Sequence, residues 1–283
     1  MPKLFFLLFC LCWITIIAHA EEPATRAATL PRTDQGLDAT LWIQTSVEHD
    51  VACVQAYRLA TTQATHALKD ACWTAAVEQS DGYAQLPPAV ILDLDETVLN
   101  NAEFMSRLVQ HDTSWNEDLW NQWVREKKST AVPGVKDFLR HLEQNEIAIF
   151  FITNRDIQLE TPTVENLSAV LGRQITKSQV LCQNEKPDWT WNKTSRRAFV
   201  ARCHRILLLL GDDFNDFTYQ GKLSARERIT QGERYQEYWG RRWILLPNPV
   251  YGDWEKALYH YDSGLPNSKK LRLKFDALNT GEE

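Results

Sequence analysis

Residues 89–97 read Ala-Val-Ile-Leu-Asp-Leu-Asp-Glu-Thr, and this segment is the most informative part of the chain about its fold. Its apolar first half predicts a buried β-strand. Because side chains alternate along an extended chain, Asp93 and Asp95 start on the same side of the strand end. Two neighbouring carboxylates repel each other and need a counter-charge, which an oxygen-bound divalent cation supplies. The alternative is an acidic loop that follows the strand and has no function. The apolar run directly before the two aspartates argues against this alternative.

Two later segments repeat the pattern of a buried strand that ends in polar residues. Residues 147–152 precede the polar run 153–155, and residues 206–210 precede the acidic run 211–216. Lys193 stands between these segments, ahead of a predicted helix. Open parallel sheets with helical crossovers bind ligands at the carboxyl ends of their strands, so we expect these clusters at one edge. The pattern predicts an α/β fold with a doubly wound, mainly parallel sheet.

The polar residues at these strand ends, in chain order, resemble the four motifs of the haloacid dehalogenase (HAD) superfamily of phosphatases. The matching residues are Asp93, Asp95 and Thr97, then Thr153, then Lys193, and finally Gly211, Asp212, Asp213 and Asp216. Four longer segments are similar to the class C nonspecific acid phosphatases and lipoprotein-type bacterial 5′-nucleotidases: DLDETVLNN at 93–101, AVPG at 131–134, FITNR at 151–155 and LPNPVYGDWE at 246–255. The resemblance covers about residues 41–261.

The resemblance implies a division of catalytic roles. Asp93 is the expected nucleophile, which forms an aspartyl-phosphate. Asp95 is the expected general acid, which then acts as base on the hydrolytic water. Thr153 and the backbone amide of Asn154 are expected to hold the phosphoryl oxygens. Lys193 is expected to place a positive charge beside the nucleophile and the phosphate. Lys186 is the competing candidate for this last role.

The resemblance also implies a Mg²⁺ site. The expected ligands are the Asp93 carboxylate, the backbone carbonyl of Asp95 and the Asp212 carboxylate, and Mg²⁺ prefers such oxygen donors. Asp216 is expected to support the metal through water or by orienting a neighbour. Asp213 stands where relatives often have asparagine, and no role is predicted for it.

Three residues are candidates for contacts with substrate. Arg155 is predicted either as a second phosphate contact or as part of an ion pair that shapes the site. Trp115 is placed nearest the substrate among the aromatic residues of segment 101–130. Tyr251 either stacks on a flat leaving group, such as a nucleobase, or packs its own loop.

The rest of the chain is predicted to form one domain, residues 21–283, that includes segment 101–130 as a small cap over the catalytic edge. Within this cap, Trp120 and Trp123 share a helical face and are predicted to pack. An N-terminal helix is predicted over 41–77, and 262–283 is predicted as a frayed polar tail. The other predicted elements are helices at 133–144, 163–171 and 194–203 and strands at 179–181 and 243–246.

The first twenty residues predict export. Lys3 precedes an apolar stretch at 4–18, and Ala18-His19-Ala20 resembles a cleavage signal, so a cut after Ala20 is expected. An uncleaved membrane anchor is the alternative. Cys10 and Cys12 follow bulky residues, which argues against a lipid anchor. The mature protein is therefore predicted to be periplasmic or secreted, where disulfides are permitted. A Cys182–Cys203 disulfide and free thiols both remain open.

The charge of the chain restricts the kinds of partner that it can bind. The net charge of −6 argues against a nucleic-acid-binding surface, which is normally basic. The expected partner is a small phosphomonoester, and a homodimer is left open. The sequence therefore predicts an exported, Mg²⁺-dependent acid phosphatase that acts on phosphomonoesters, nucleoside monophosphates among them. Two alternatives remain: phosphotransfer to an alcohol at the same site, and a non-catalytic storage or binding protein on the same fold.

Overall fold

Residues 89–92, predicted as a buried strand, lie in the middle strand of a five-stranded parallel sheet. The computed structural model describes residues 34–281. In this part of the chain the strands are β1 Pro88–Leu92, β2 Leu99–Asn100, β3 Thr130–Ala131, β4 Ala148–Asp156, β5 Val180–Gln183, β6 Arg205–Gly211 and β7 Trp243–Leu245. The sheet order is β5-β4-β1-β6-β7, and β2 pairs separately with β3 in antiparallel fashion. The predicted mainly parallel α/β sheet is confirmed.

Helices cover both faces of this sheet. The helices are α1 Asp34–Thr45, α2 Val47–Lys69, α3 Ala102–Gln110, α4 Glu117–Glu126, α5 Val135–Gln144, α6 Glu160–Leu171, α7 Thr194–Ala201, α8 Ala225–Arg234, α9 Asp253–Lys256 and α10 Asn267–Asp276. Alternation along β1 divides the core. Val90 and Leu92 pack in one apolar cluster with α2, α5 and α6, while Ala89 and Ile91 pack in a second with α7.

The predicted continuous N-terminal helix over 41–77 is wrong, because α1 and α2 are separate and α2 ends at Lys69. Ser46 causes the break: its hydroxyl accepts a hydrogen bond from the backbone N–H of His49, 3.1 Å away, and so caps α2. At the other end, Asp70 is extended and its carboxylate accepts a hydrogen bond from the Cys72 amide. Local side-chain bonds therefore override the helical periodicity at both places.

The segment predicted as a cap contains α3 and α4, between the short strands β2 and β3. These helices share a small apolar cluster that includes Phe104 and Trp123. Trp123 is buried, as predicted, and its indole N–H donates to Asn101 Oδ1 over 2.8 Å. The insertion is thus bonded to the loop that follows β1.

The C-terminal residues differ from the prediction of a frayed tail, because α10 occupies 267–276. Lys270 of this helix lies over the ring of Tyr259, 5.3 Å from its centroid. Helix α8 was also not predicted, since its sequence is strongly polar; a capping box between Ser224 and Glu227 starts it. Helix α8 has its capping box and α10 has this ring contact, and neither helix contains a buried residue.

Two further predictions concern the ends and the cysteines. The signal peptide lies outside the described residues. None of the helices within 34–281 is long and apolar enough to cross a membrane. Cys182 and Cys203 do not pair: both are free thiols, as are Cys53 and Cys72.

Candidate active site

The ends of β1 and β6 place two aspartates side by side. Leu92 pairs with Leu210, and the backbone N–H of Asp93 donates to the Leu210 carbonyl over 2.9 Å. Asp93 therefore lies beside Asp212, the second residue of the acidic run. One carboxylate oxygen from each of Asp93, Asp212 and Asp216 lies within 4.8 Å of the others. The predicted acidic cluster forms because parallel strands bring their carboxyl ends together.

Gly211 makes the close approach of Asp216 feasible. A Cβ atom at position 211 would lie 2.3 Å from Asp216 Oδ2, far inside van der Waals contact. Oδ2 accepts hydrogen bonds from the backbone amides of Asp212 and Asp213, at 3.1 and 2.9 Å. Oδ1 accepts from Lys193 Nζ at 2.6 Å. Both oxygens of Asp216 are thus occupied by protein donors, which suits a residue that orders the loop around a metal.

Lys193 lies at the start of α7 and reaches into the acidic cluster. Its Nζ donates to Asp93 Oδ1 and to Asp216 Oδ1, and its side chain is 7% exposed. The competing Lys186 lies elsewhere, with its ammonium 3.7 Å from the ring centroid of Phe199. The structure therefore brings Lys193, and not Lys186, to the predicted nucleophile.

The cluster carries more negative charge than one lysine neutralises. Burial raises the pKa of Asp93 to about 7, with Lys193 opposing the shift and Asp216 adding to it. Burial, with Asp93 next in effect, also raises the pKa of Asp212 well above its ordinary value. Burial opposes the charge of Lys193, but Asp216 and Asp93 outweigh it and raise the pKa of the ammonium. A hard divalent cation fits this all-oxygen donor set.

A cleft of about 800 Å³ opens over the cluster. Asp93, Asp95, Lys193 and Asp212 line one part of it. This volume lies within the range of sites that enclose a whole small organic ligand, about 300–1,000 Å³. The cleft therefore has room for a leaving group beyond the phosphate.

Asp95 is held in the cleft by an ion pair. Arg155 Nη2 lies 2.7 Å from Asp95 Oδ1, and its Nε lies 3.2 Å from both carboxylate oxygens. Asn101 Nδ2 also donates to Oδ1, over 2.9 Å. Arg155 is almost completely buried and bonds Thr163 as well. The predicted ion pair of Arg155 is therefore present, with Asp95 as its partner.

The other residues of the second motif lie beside this pair. Thr153 is fully buried, and its hydroxyl accepts from the backbone N–H of Arg155 over 3.0 Å. Asn154 lines the cleft, and its side chain bonds Arg196 Nη2 at 2.7 Å and the Trp191 carbonyl at 3.0 Å. The Asn154 side chain thus fixes the loop that precedes Lys193.

Aromatic side chains line the cleft beyond the carboxylates. Trp115 and Trp191 are 56% and 41% exposed, and Tyr251 is partly buried. Trp120, predicted only to pack the insertion, also lines the cleft, with the Arg155 guanidinium 5.5 Å from its ring centroid. Trp191 was missed as a site residue. Its position two residues before Lys193 was the available signal.

Two more residues that sequence reasoning missed are Glu96 and Asn101. Both are buried in the loop after β1, and Tyr251 donates its hydroxyl hydrogen bond to Glu96 Oε2. Burial, with Asp95 adding to it, raises the pKa of Glu96 to about 8. The quoted segment 93–101 contains both residues, yet nothing in one sequence shows that a loop 155 residues later meets them.

The role of Asp213 is now visible. Its Oδ1 accepts from the Asn215 amide at 3.0 Å, and its Oδ2 accepts from the Asp253 amide at 2.7 Å. Asp213 therefore connects the loop after β6 to the start of α9 through hydrogen bonds. Asn248, from the same C-terminal loop, donates to Asp212 Oδ2 over 2.9 Å. The segment 246–255 is thereby fixed against the acidic cluster.

Comparisons with known proteins agree with this arrangement. The profile of the HAD superfamily, subfamily IIIB (acid phosphatase), matches residues 13–254. The class C acid phosphatase from Bacillus anthracis is 32% identical and superposes with a TM-score of 0.79, over 89% of this chain and 99% of that chain. Its tungstate-bound structure has a TM-score of 0.77 at 32% identity, over 88% and 98% of the two chains.

A more distant relative is the stem 28 kDa glycoprotein of Glycine max, 21% identical over 165 residues. That match covers 57% of this chain, and the chain spans 58% of the length of the soybean protein. The family profile and the bacterial structures cover nearly all of the described residues. The chain therefore belongs to the acid phosphatases of HAD subfamily IIIB, class C, and is a phosphomonoesterase.

Proposed function

We propose that this chain is an exported, Mg²⁺-dependent acid phosphatase that hydrolyses phosphomonoesters through an aspartyl-phosphate on Asp93. One observation carries the proposal: Lys193 Nζ bonds both Asp93 and Asp216 at the strand ends where Asp212 converges. A structural lysine has no need of three converging carboxylates around it. A phosphoryl group, by contrast, needs a nucleophile, positive charge and a proton donor in one place.

The reaction divides between two aspartates. Asp93 Oδ1 is bonded to Lys193, while no hydrogen bond from the described residues reaches Oδ2. Asp93 attacks phosphorus, and the bond from phosphorus to the leaving oxygen breaks. Asp95 gives its proton to that oxygen, and the alcohol departs. Asp95 then takes a proton from water, which attacks the aspartyl-phosphate and releases inorganic phosphate.

Asp93, Asp212 and the backbone of Asp95 would hold the cation, with Asp216 ordering the loop. When bound, Mg²⁺ neutralises charge on the phosphoryl oxygens and on the acidic cluster. Lys193 supplies a fixed positive charge on the other side of Asp93. The Asn154 backbone amide and Thr153 complete the phosphate cradle in this proposal.

The aromatic part of the cleft supports substrates with flat leaving groups. Trp115 and Tyr251 line it, and stacking on aromatic rings is tolerant of the identity of the base. We infer that nucleoside monophosphates and aryl phosphates are better substrates than small alkyl phosphates. Class C acid phosphatases are typically extracytoplasmic, which supports export through the predicted signal sequence.

The alternative from the sequence is a non-catalytic storage or binding protein on the same fold. The retained site argues against it here. Lys193 bonds Asp93 and Asp216, and Asp212 lies beside them in the cleft; their mutual repulsion is a cost that a storage protein has no reason to keep. The strain of this cluster is explained by catalysis.

Turnover of an aryl phosphate and of a nucleoside monophosphate, with Mg²⁺ and with EDTA, tests the proposal. Asp93→Asn should abolish turnover. It should also abolish the acid-stable phosphoenzyme that the wild-type protein forms with a radiolabelled substrate. Asp137→Asn is the matched control, because Asp137 is 82% exposed and pairs only with Arg140 in the described part. If Asp93→Asn retains more than a few per cent of the wild-type turnover, Asp93 is not the nucleophile. Added alcohol acceptor distinguishes phosphotransfer from hydrolysis.

A further inference from the structure

Glu96 is a buried carboxyl group in the catalytic loop that the proposed reaction does not use. It is 7% exposed and has a φ of 61°, in the left-handed region. Burial of a carboxyl group costs free energy unless donors surround it, and this backbone region is unfavourable for glutamate. Glu96, beside Asp95, therefore has both an unfavourable burial and an unfavourable backbone conformation. These two costs indicate that its side chain makes a contact with a function.

Three hydrogen bonds satisfy the Glu96 carboxylate. The Asn101 backbone N–H donates to Oε1 at 2.9 Å, and Asn101 Nδ2 lies 3.3 Å from Oε2. Tyr251, from the loop before α9, donates its hydroxyl hydrogen to the same Oε2. The donors therefore come from two segments: Asn101 in the loop after β1 and Tyr251 in the C-terminal loop.

Tyr251 is held at two points. Asn248 Oδ1 accepts from its backbone N–H at 3.4 Å, and Asn248 Nδ2 donates to Asp212. Its side chain has one hydroxyl donor, and Glu96 uses it. The ring therefore faces the cleft with its donor already committed, which leaves its face for an apolar, planar group.

Asn101 extends the same network to the catalytic acid. Its Nδ2 donates to Asp95 Oδ1 at 2.9 Å as well as to Glu96. Its Oδ1 accepts from Trp123 Nε1 and from the Ser129 hydroxyl, at 2.8 and 2.7 Å. Movement of Glu96 is thus opposed by α4 and by the residue before β3.

We propose that Glu96 is a positioning residue that fixes the Tyr251 ring as a wall for planar leaving groups, and so sets the preference of the enzyme for nucleoside or aryl phosphates. This rests on the proposed function, since it concerns the leaving group of that reaction. Glu96 does not touch the reacting atoms. It acts through Tyr251, because the carboxylate is the anchor of the hydroxyl that orients the ring.

The test compares kcat/KM for a nucleoside 5′-monophosphate with kcat/KM for ethyl phosphate. Tyr251→Phe keeps the ring and removes only the anchored hydroxyl, so it isolates the proposed contact. Glu96→Ala removes the acceptor, whereas Glu96→Gln keeps a side-chain carbonyl oxygen that accepts from the tyrosine hydroxyl. Tyr83→Phe and Glu103→Gln are matched controls, since Tyr83 is only partly buried, Glu103 is exposed, and neither residue lines the cleft.

We expect Tyr251→Phe and Glu96→Ala each to lower the ratio of the two kcat/KM values by about 3- to 10-fold. The double variant should lower it no further than one single variant, and Glu96→Gln should recover part of the loss. The controls should keep the wild-type ratio. Thermal unfolding of each variant, measured in parallel, identifies any variant that fails to fold. If Glu96→Ala does not fold, the comparison of Tyr251→Phe with the wild-type protein still tests the proposal.

Three outcomes overturn the inference. An equal loss on both substrates, with a lower melting temperature, means that Glu96 only stabilises the loop. Additive effects in the double variant mean that Glu96 and Tyr251 act separately. If the wild-type protein has nearly equal kcat/KM values for the two substrates, Tyr251 does not select for planar leaving groups, although the protein is still a phosphatase. If the wild-type protein hydrolyses neither ester with metal present, the proposed function itself fails, and the two failures are thereby distinguished.

Discussion

Arg155 holds Asp95 by contacts to both carboxylate oxygens, with Nη2 2.7 Å from Oδ1 and Nε 3.2 Å from each oxygen. The guanidinium is fully buried, whereas the carboxylate is 18% exposed and lines the cleft. The pair therefore orients the proposed general acid from behind. A planar fork suits this geometry better than a point charge does.

Arg155→Lys should lower kcat by about 10- to 100-fold, because Asp95 loses its fixed orientation and general acid–base catalysis contributes about 100- to 10,000-fold. KM should change much less, since the Arg155 guanidinium is buried against Asp95. Steady-state kinetics on an aryl phosphate gives both constants. Arg140→Lys, at an exposed ion pair, is the control. A large rise in KM with unchanged kcat would show instead that Arg155 contacts the phosphate.

Chelation should remove activity, and Mg²⁺ should restore it with an affinity that falls as the pH decreases through about 7. The reason is that burial raises the pKa of Asp93 to about 7, so protons and the cation compete for the same carboxylates. Calorimetric titration in two buffers of different ionisation enthalpy measures the protons released. Binding without proton release at pH 6 contradicts this prediction.

The metal-free protein should lose stability as the pH rises from about 4 to about 7. The pKa of Asp93 is raised in the folded state, so the folded protein binds its proton more tightly than the unfolded chain does. That stabilisation is present at low pH and is lost as the pH passes the folded-state value. Urea unfolding in EDTA across this range measures the slope, which Asp93→Asn should reduce. An unchanged slope in the variant assigns the effect to other groups.

Gly211→Ala should destabilise the protein by about 1–3 kcal/mol and weaken metal binding, because the new methyl group overlaps the Asp216 carboxylate. Gly232→Ala is the matched control. Gly232 lies in helix α8 with open space around its Cα, and there alanine should stabilise by about 0.5–1 kcal/mol. Chemical unfolding of both variants provides the comparison. Equal stability of the two variants would show that Asp216 moves aside without cost.

Thiol reagents at pH 8 should modify Cys72 and Cys203 in the native protein and leave Cys53 and Cys182 untouched. The first pair is exposed, whereas burial raises the pKa of Cys53 and of Cys182 to about 12, so neither forms the reactive thiolate. Peptide mass spectrometry after labelling reports each site separately. Denaturation in urea should expose all four, which serves as the internal control. Rapid native labelling of Cys182 contradicts the fold around β5.

Much of the fold was predictable because apolar runs and acidic strand ends are local features. The strands ending near Asp93 and Gly211 were located to within a few residues, and so was α5. The break at Ser46 and helix α10 were not, since a capping hydroxyl and a lysine over a tyrosine ring carry no periodic signal. Trp120 was assigned to packing alone because its distance from Arg155 depends on where α4 lies.

The parallel sheet and the acidic cluster could be predicted from residue spacing along buried strands, because that spacing dictates which side chains reach one edge, and the family resemblance favoured Lys193 over Lys186. What these groups touch, and that Lys193 is the lysine beside Asp93, became visible only in the folded chain. That Arg155 pairs with Asp95, that Asp213 staples the C-terminal loop and that Glu96 anchors Tyr251 all depend on contacts between distant segments. Hydrogen-bond partners across 40 to 155 residues are selected by how the chain packs, and no local pattern records that choice.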